Sequence, residues 1–431
     1  MAEPYIINLG IIGGAGGFIG QHHDTAIAMK SGLASDGRPI LYRVVASALS
    51  SDPNKSLEAG RMRGISRPYR SYAEMLEGET GREDGIHAVS IRLPNRRQHD
   101  AVIAALEAGY HVIVDKPNAI TPLQAVQQAE LAAENDLVTA VTFTYSGSPC
   151  VREMRAQRAS GAVGTINGVH AFYPQGWTLG LPESKVWRLT EEGSGIMGVT
   201  FDLGATHCLS DVRYVSGMEL ASITANLKRN AGTIIDGDLI TTEDRQVENY
   251  GQVLFTLTDG QGNEVLGSGY WSQVAAGWGN THELRLDGDE RSLQWANTTI
   301  NGSAESLIVR SKSAPAQIWS RDPNAQWFSP LAKRAMRSPG EHGEGFEHWL
   351  AAIYGDFIEQ VAGRVYGVQA DPLAGEIMTL QDGAISLWNA FKVAESHLRG
   401  GVPVDATYVP EQAGELEATV MGLLEDNGGR L

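Results

Sequence analysis

The stretch Tyr5–Gly20, YIINLGIIGGAGGFIG, decides the fold. Its first eight residues form an apolar run rich in β-branched side chains, which reads as a buried strand. Gly13-Gly14-Ala15-Gly16-Gly17-Phe18-Ile19-Gly20 follows directly, and a helical pattern then runs from near Ile19 through Ala26, Ile27 and Met29 toward Leu33. Strand, glycine loop and helix in that order let a pyrophosphate rest on bare amides at a helix N-terminus, with no Cβ atoms in the way. Gly14 and Gly16 fit the first two positions of G-x-G-x-x-G. The third falls on Ile19, one short of Gly20, so the loop is one residue longer than the strict pattern. Gly14, Gly16, Gly17, Phe18 and Ile19 are the residues expected to cradle a dinucleotide.

The next strand, Leu41 to Ala48, should deliver the residue that reads the adenosine ribose, an acid where the cofactor is NAD. The chain instead offers Ser50-Ser51-Asp52-Pro53-Asn54-Lys55. Asp52 can simply cap the following helix. Ser50 and Ser51, with Lys55 as the one nearby cation, suit a ribose hydroxyl or a 2′-phosphate, so NAD is favoured and NADP stays open. Further strands read at Ala88-Ile91, Tyr110-Val114 and Leu137-Phe143, with an amphipathic helix through Val102, Ile103 and Leu106 and another from Pro122 to Asn135. This alternation defines a doubly wound parallel sheet over residues 1–146. Within it, Val112-Ile113-Val114-Asp115-Lys116-Pro117-Asn118 ends a buried strand abruptly at a proline and sets Lys116 at its carboxyl end, the edge where open parallel sheets bind ligands.

Beyond Pro149 the texture changes. A helix near Val151–Ser160 and the strand Ile166–Tyr173 lead into a long stretch, Pro174 to Ser194, that carries Trp177, Lys185, Trp187 and Arg188 and reads as a lid or binding loop. Asp202 and His207 head an apolar helix. Strands at Ala221–Leu227, Gly251–Thr258, Glu264–Ser272, His282–Leu286 and Ser306–Val309 then predict a large, mostly antiparallel sheet open on one face. Helical patterns return at Phe346–Val361 and Pro372–Leu398. Residues 147–405 are thus expected to form a second α/β domain, and 406–431 a surface tail.

The 431 residues, 42% apolar and 20% charged, suit a globular protein of two or three domains. A formal net charge of −17 disfavours nucleic acid and acidic membranes as partners, without excluding a small anion held by local cations. Two cysteines, Cys150 and Cys208, are too few for a disulfide framework and not spaced as metal ligands, so no metal is expected. With no secretion signal and no membrane-length apolar run, the expected setting is the cytoplasm.

The glycine loop, Pro94-Asn95, Asp115-Lys116-Pro117 and the pair Asp202 and His207 together resemble the glucose-fructose oxidoreductase and inositol dehydrogenase family, Gfo/Idh/MocA. Gly17-Phe18-Ile19-Gly20, Tyr173-Pro174-Gln175, Trp187-Arg188, Ser272-Gln273-Val274-Ala275 and His342 with Glu344-Gly345 resemble its sugar-oxidoreductase branch. The resemblance implies an N-terminal Rossmann domain, a second α/β domain whose sheet face covers the nicotinamide, and a homodimer or homotetramer built on the sheet's other face. It implies that Lys116 hydrogen-bonds the reacting hydroxyl, that His207 takes its proton, that Asp202 supports them, and that Pro94 and Asn95 line the nicotinamide ribose beside Asp115 and Pro117. One departure stands out. The family spaces its acid and histidine four apart, whereas Asp202 and His207 are five apart. On a continuous α-helix that turns the second side chain about 140° from the first. Either the helix starts after Asp202, or Asp202 is a cap or has another task.

The function implied is hydride transfer between NAD(P) and a ring hydroxyl, C3 being expected, of a pyranose, sugar derivative or cyclitol. A histidine has the ordinary pKa to take an alcohol proton near neutrality, and a lysine ammonium stabilises the developing alkoxide. Flat aromatic faces and polar forks for a sugar are offered by Gln175, Trp177, Trp187, Gln273, Asn280, Tyr145 and His342. Lys185 and Arg188 suit a carboxylate, sulfonate or phosphate on it. A rival scheme is an oxidoreductive glycosidase that oxidises C3 transiently, eliminates the C1 substituent, adds water and returns the hydride, with Tyr145, His207 or His342 moving the extra protons. A third, a dinucleotide-binding sensor, leaves Lys116 and His207 without a reason to coexist.

Overall fold

The computed structural model describes residues 3–29, 32–179, 187–230, 233–235, 238–240, 246–297, 305–340 and 342–431. The chain divides into two compact units: residues 1–119, 124–147 and 346–383 form the first, and 120–123, 148–345 and 384–431 the second.

The first unit is built on a seven-stranded sheet in the order Gly32–Leu33, Pro39–Ala48, Tyr5–Gly13, Ala88–Arg92, His111–Val114, Thr139–Val141, with Arg67–Pro68 paired off this path to Pro39–Ala48. All pairings are parallel except that of Gly32–Leu33. The winding reverses between Tyr5–Gly13 and Ala88–Arg92, which puts the ligand crevice of a doubly wound sheet at their carboxyl ends. The central strand is buried continuously from Ile7 to Gly13, as a parallel strand covered on both faces must be. Chain order assigns residues 346–361 to the second domain, yet the helix Phe346–Tyr366 packs in the first unit. Its Leu350, Tyr354, Phe357, Ile358 and Val361 share a core with Ile7, Leu9, Ile27, Ile40 and Ile113.

The second unit carries a nine-stranded sheet in the order Ala314–Ser320, Ser306–Ser311, Arg291–Ala296, Glu283–Gly288, Ile166–Pro174, Glu264–Ser272, Tyr250–Thr258, Glu219–Lys228, Val404–Asp405. Every neighbour is antiparallel except the pair Ile166–Pro174 and Glu264–Ser272. Burial alternates along Tyr250–Thr258, so one face packs on the core and the other stays open, where Leu254 and Leu266 are exposed. Two expectations need correction. The pattern Pro372–Leu398 is not one helix: a 3₁₀ turn, Pro372–Glu376, precedes the α-helix Leu380–Leu398. The residues expected as a surface tail include the helix Ala413–Asp426, which buries Ala413, Leu416, Val420 and Leu424 on one face. No helix among the described residues is long and apolar enough to cross a membrane.

Candidate active site

In the first unit the glycine loop bridges Tyr5–Gly13 and the helix Phe18–Ala28. Gly13 and Gly14 adopt φ +83° and +82°, which a side chain would strain. A Cβ on Gly20 would lie 2.6 Å from the Gly14 carbonyl oxygen, so the helix approaches the loop as closely as backbone allows. A Cβ on Gly16 or Gly17 would instead project into open space. Gly17 caps the helix with no side-chain bond, leaving its first amides to a ligand. Phe18 is exposed and packs edge-on against His22, 4.1 Å between centroids. These residues fit a dinucleotide pyrophosphate, with the extra residue absorbed within the loop. Three charged residues that sequence reasoning missed brace it from behind. Arg63 Nη2 donates to the Gly14 carbonyl at 2.9 Å, and Arg92 Nη1 donates to that of Gly20 at 3.1 Å. Asp24 pairs with both guanidiniums, at 3.2 and 2.5 Å. The carbonyls of Gly14 and Gly20 are therefore occupied by the protein's own guanidiniums.

Asp52 is the N-cap of Pro53–Met62, accepting from the amides of Asn54 and Lys55 at 2.9 and 3.0 Å, which holds its carboxyl below the usual range. Ser51 and Lys55 are exposed beside it and Ser50 Oγ accepts from the Asp52 amide at 3.2 Å. Pro94 caps the helix Asn95–Glu107, whose first residue, Asn95, is buried.

The strand His111–Val114 delivers Asp115, Lys116 and Pro117, and the Lys116–Pro117 peptide is cis. Gln98, fully buried one turn into the neighbouring helix, donates from Nε2 to the carbonyls of both Asp115 and Pro117, at 2.9 and 3.0 Å. One side-chain amide thus grips the backbone on either side of Lys116. Asp115 Oδ1 accepts from Thr142 Oγ1 at 3.0 Å and lies 3.7 Å from His23 Nε2. Burial lowers the His23 pKa, and its Nδ1 meets the Tyr354 hydroxyl at 2.8 Å. The Asp of the Asp-Lys-Pro motif anchors the strand end that presents the lysine.

In the second unit Asp202 and His207 sit inside a π-helix, Thr200–Leu209, with Val199 as its cap. Two of the three expected explanations of their spacing are thereby corrected: the helix does not begin after Asp202, and Asp202 is not its cap. In a π-helix each amide bonds to the carbonyl five residues back, as Ser210 does to Ala205, so residues five apart stand one turn above the other. Thr206 Oγ1 adds a bond of the same span to the Phe201 carbonyl, 2.6 Å. The inserted residue is absorbed by widening the turn, and Asp202 and His207 share a face.

This helix is fastened at its start by Glu248, whose two oxygens accept from the amides of Gly198 and Thr200, both at 2.7 Å. Burial raises the Glu248 carboxyl to about 7 against these bonds. Beneath lies Trp271, fully buried, which donates from Nε1 to Thr200 Oγ1 at 3.2 Å. Gly204 makes this packing possible, since a Cβ there would come within 2.5 Å of the indole. Asp202 Oδ2 accepts from Gln273 Nε2 at 2.7 Å, and Arg188 Nε lies 3.8 Å from its other oxygen. Arg188 also stacks on the Trp187 ring, 4.4 Å from the centroid. Asn280 Oδ1 accepts from the Tyr173 hydroxyl at 2.6 Å and Gln175 Nε2 at 2.5 Å. The Tyr173 ring stands 5.7 Å from the buried His207 ring.

The structure thus joins Asp202, Gln273 and Arg188, and separately Gln175 and Asn280. Lys116 belongs to the first unit and His207 to the second. Tyr145 is fully buried in the first unit against Trp349, 5.8 Å between centroids. His342 is exposed in a loop of the second unit, where its carbonyl accepts from Arg321 and its Nδ1 meets the Gly340 carbonyl at 3.1 Å. Trp177 is exposed, while Lys185 lies outside the described residues. Gln98, Glu248 and Trp271 went unpredicted because nothing local marks them; their partners are far away in sequence.

Comparison with known proteins supplies two family matches. Residues 7–143 match the model described as an oxidoreductase family with an NAD-binding Rossmann fold, and residues 151–294 the GFO/IDH/MocA C-terminal domain. An uncharacterized oxidoreductase, YfiI, of Bacillus subtilis is 26% identical over 322 residues, 73% of this chain and 76% of that protein. Levoglucosan dehydrogenase of Pseudarthrobacter phenanthrenivorans is 30% identical over 224 residues, 51% of this chain and 54% of the enzyme. An inositol dehydrogenase homolog of Azotobacter vinelandii, in complex with NADH and myo-inositol, superposes with a TM-score of 0.77 at 26% identity, covering 94% of this chain and 98% of that one.

Proposed function

Because the chain belongs to the Gfo/Idh/MocA family of NAD-dependent oxidoreductases, we propose that it moves a hydride between NAD and a ring hydroxyl, at C3, of a pyranose, sugar derivative or cyclitol. The observation that carries the reading is the π-helix, which restores Asp202 and His207 to one face despite their five-residue spacing. A levoglucosan dehydrogenase and a myo-inositol complex among the similar proteins support a cyclic polyol as substrate.

NAD, when bound, supplies the hydride acceptor. His207 accepts the hydroxyl proton as the carbinol carbon loses hydride and its C–O bond becomes a carbonyl. Lys116 donates to the same oxygen and stabilises the charge that develops there. Gln98 keeps Lys116 at the strand end, and Asp202, held by Gln273, faces the same side of the helix as His207. Gln175 and Asn280 offer the paired polar groups, and Trp187 with Arg188 the flat and cationic surface, that a sugar bearing an anionic substituent would use. The open face of the nine-stranded sheet, with Leu254 and Leu266 exposed, supports assembly into a homodimer or homotetramer through it.

The test is to incubate the enzyme with levoglucosan, myo-inositol and a panel of pyranosides at stoichiometric NAD. NADH formed one-to-one with a keto product is expected. Aglycone released with only catalytic NAD, and solvent deuterium at C2, would replace this reading with the glycosidase.

A further inference from the structure

Behind His207 lies a second, fully buried histidine that the mechanism above does not use. His282 Nε2 lies 3.0 Å from Asp211 Oδ2 and its Nδ1 lies 3.2 Å from the Phe172 carbonyl oxygen, with both side chains inaccessible to solvent. A carbonyl only accepts, so Nδ1 carries a hydrogen. The Nε2–Oδ2 contact also needs one hydrogen, on the ring or on the acid. The pair therefore holds two protons and is neutral overall, as imidazolium with carboxylate or as imidazole with carboxylic acid. Asp211 Oδ1 has no hydrogen-bond partner among the described residues, and burial raises the Asp211 pKa; both favour the acid form.

The pair also links three parts of the second unit. Asp211 lies four residues after His207 on the same run of helix. His282 begins the approach to the strand Glu283–Gly288, and its ring stacks on Tyr173, 4.8 Å between centroids at 27°. Tyr173 in turn packs against His207, 5.7 Å away. We infer that Asp211 and His282 are positioning residues: a proton-sharing pair that ties the His207 helix to the sheet and holds the Tyr173 ring against His207, setting the direction in which that imidazole meets its proton. The inference rests on His207 being the base.

Asp211→Asn keeps the link, because the amide donates to Nε2 of a neutral ring whose Nδ1 stays on Phe172. Asp211→Leu keeps the volume but leaves Nε2 buried without a partner. The expected result is a kcat within about threefold of wild type for Asn and a drop toward about 100-fold for Leu, the scale of a mispositioned catalytic group, with the NAD Kd unchanged in both. Should the Leu variant not fold, the ¹⁵N-histidine spectrum of the wild-type holoenzyme decides: His282 must show a protonated Nδ1. A Leu variant with wild-type kcat, an Asn variant as impaired as Leu, or a deprotonated Nδ1 each overturns the inference. His207→Ala is run alongside; if it alone keeps wild-type turnover, the assignment of His207 as base fails instead.

Discussion

Lys116 and His207 are held by opposite means. The lysine sits at the end of a buried parallel strand, gripped through its flanking carbonyls by the neutral amide of Gln98, with Asp115 tied to Thr142 and burial lowering the pKa of the nearby His23. The histidine sits on a widened helix fastened by carboxyl groups: Glu248 at its first amides, Asp202 to Gln273, Asp211 to His282. The backbone on either side of the lysine is held by a side-chain amide, which has no proton to exchange near neutrality. The first amides of the histidine's helix are held instead by the carboxyl of Glu248, which burial raises to about 7, so this support, unlike the amide of Gln98, responds to pH.

The sharpest challenge to this contrast is Gln98→Leu. Two buried carbonyls lose their donor, at about 1–3 kcal/mol each, and kcat should fall by up to about 100-fold with no change in the shape of its pH profile. Chemical denaturation and steady-state kinetics from pH 5 to 9 check it; a normal kcat would show that Lys116 needs no such grip. The other side of the contrast is tested by Glu248→Gln. The folded-state value of about 7 lies above the ordinary 4.5, so between these the folded protein binds more protons than the unfolded chain. The stability this group contributes is full below pH 4.5 and lost as pH rises through 7, by about 3 kcal/mol in all. The difference in unfolding free energy between wild type and variant should follow that slope, and a pH-independent difference would remove Glu248 from the titrating set.

A smaller effect is expected at the glycine loop. Gly20→Ala forces a Cβ onto the Gly14 carbonyl and should weaken NAD binding by about tenfold, or 1.4 kcal/mol, by fluorescence titration. Lys55→Ala should do least. Exposed beside Asp52, it should alter NAD affinity by less than about twofold, within the ±0.5 kcal/mol of an ordinary surface change. A large loss would give Lys55 a direct cofactor contact.

Much of this was legible from residues 5–20 and 112–118, because a parallel strand buried on both faces and a glycine loop leave little else for those residues to be. Asp52 reads correctly as a cap from its spacing to Asn54 and Lys55. The position of Phe346–Tyr366 was not legible, since a helix's apolar stripe does not say which sheet it will cover. The π-helix was hidden for a different reason: the five-residue spacing announces an irregularity, but the widening that accommodates it depends on Trp271, Gly204 and Glu248, which only tertiary packing brings together. Asp211 had a signal, four residues beyond His207 on the same helix, whereas its partner His282 had none.

In the proposed reaction Lys116 polarises the reacting hydroxyl while His207 takes its proton. Single-turnover NADH formation by Lys116→Ala and His207→Ala, with the NAD Kd measured on the same samples, tests it most directly. A rate loss of about 10²- to 10⁴-fold is expected in each, with cofactor affinity retained. A wild-type rate in either variant would contradict it.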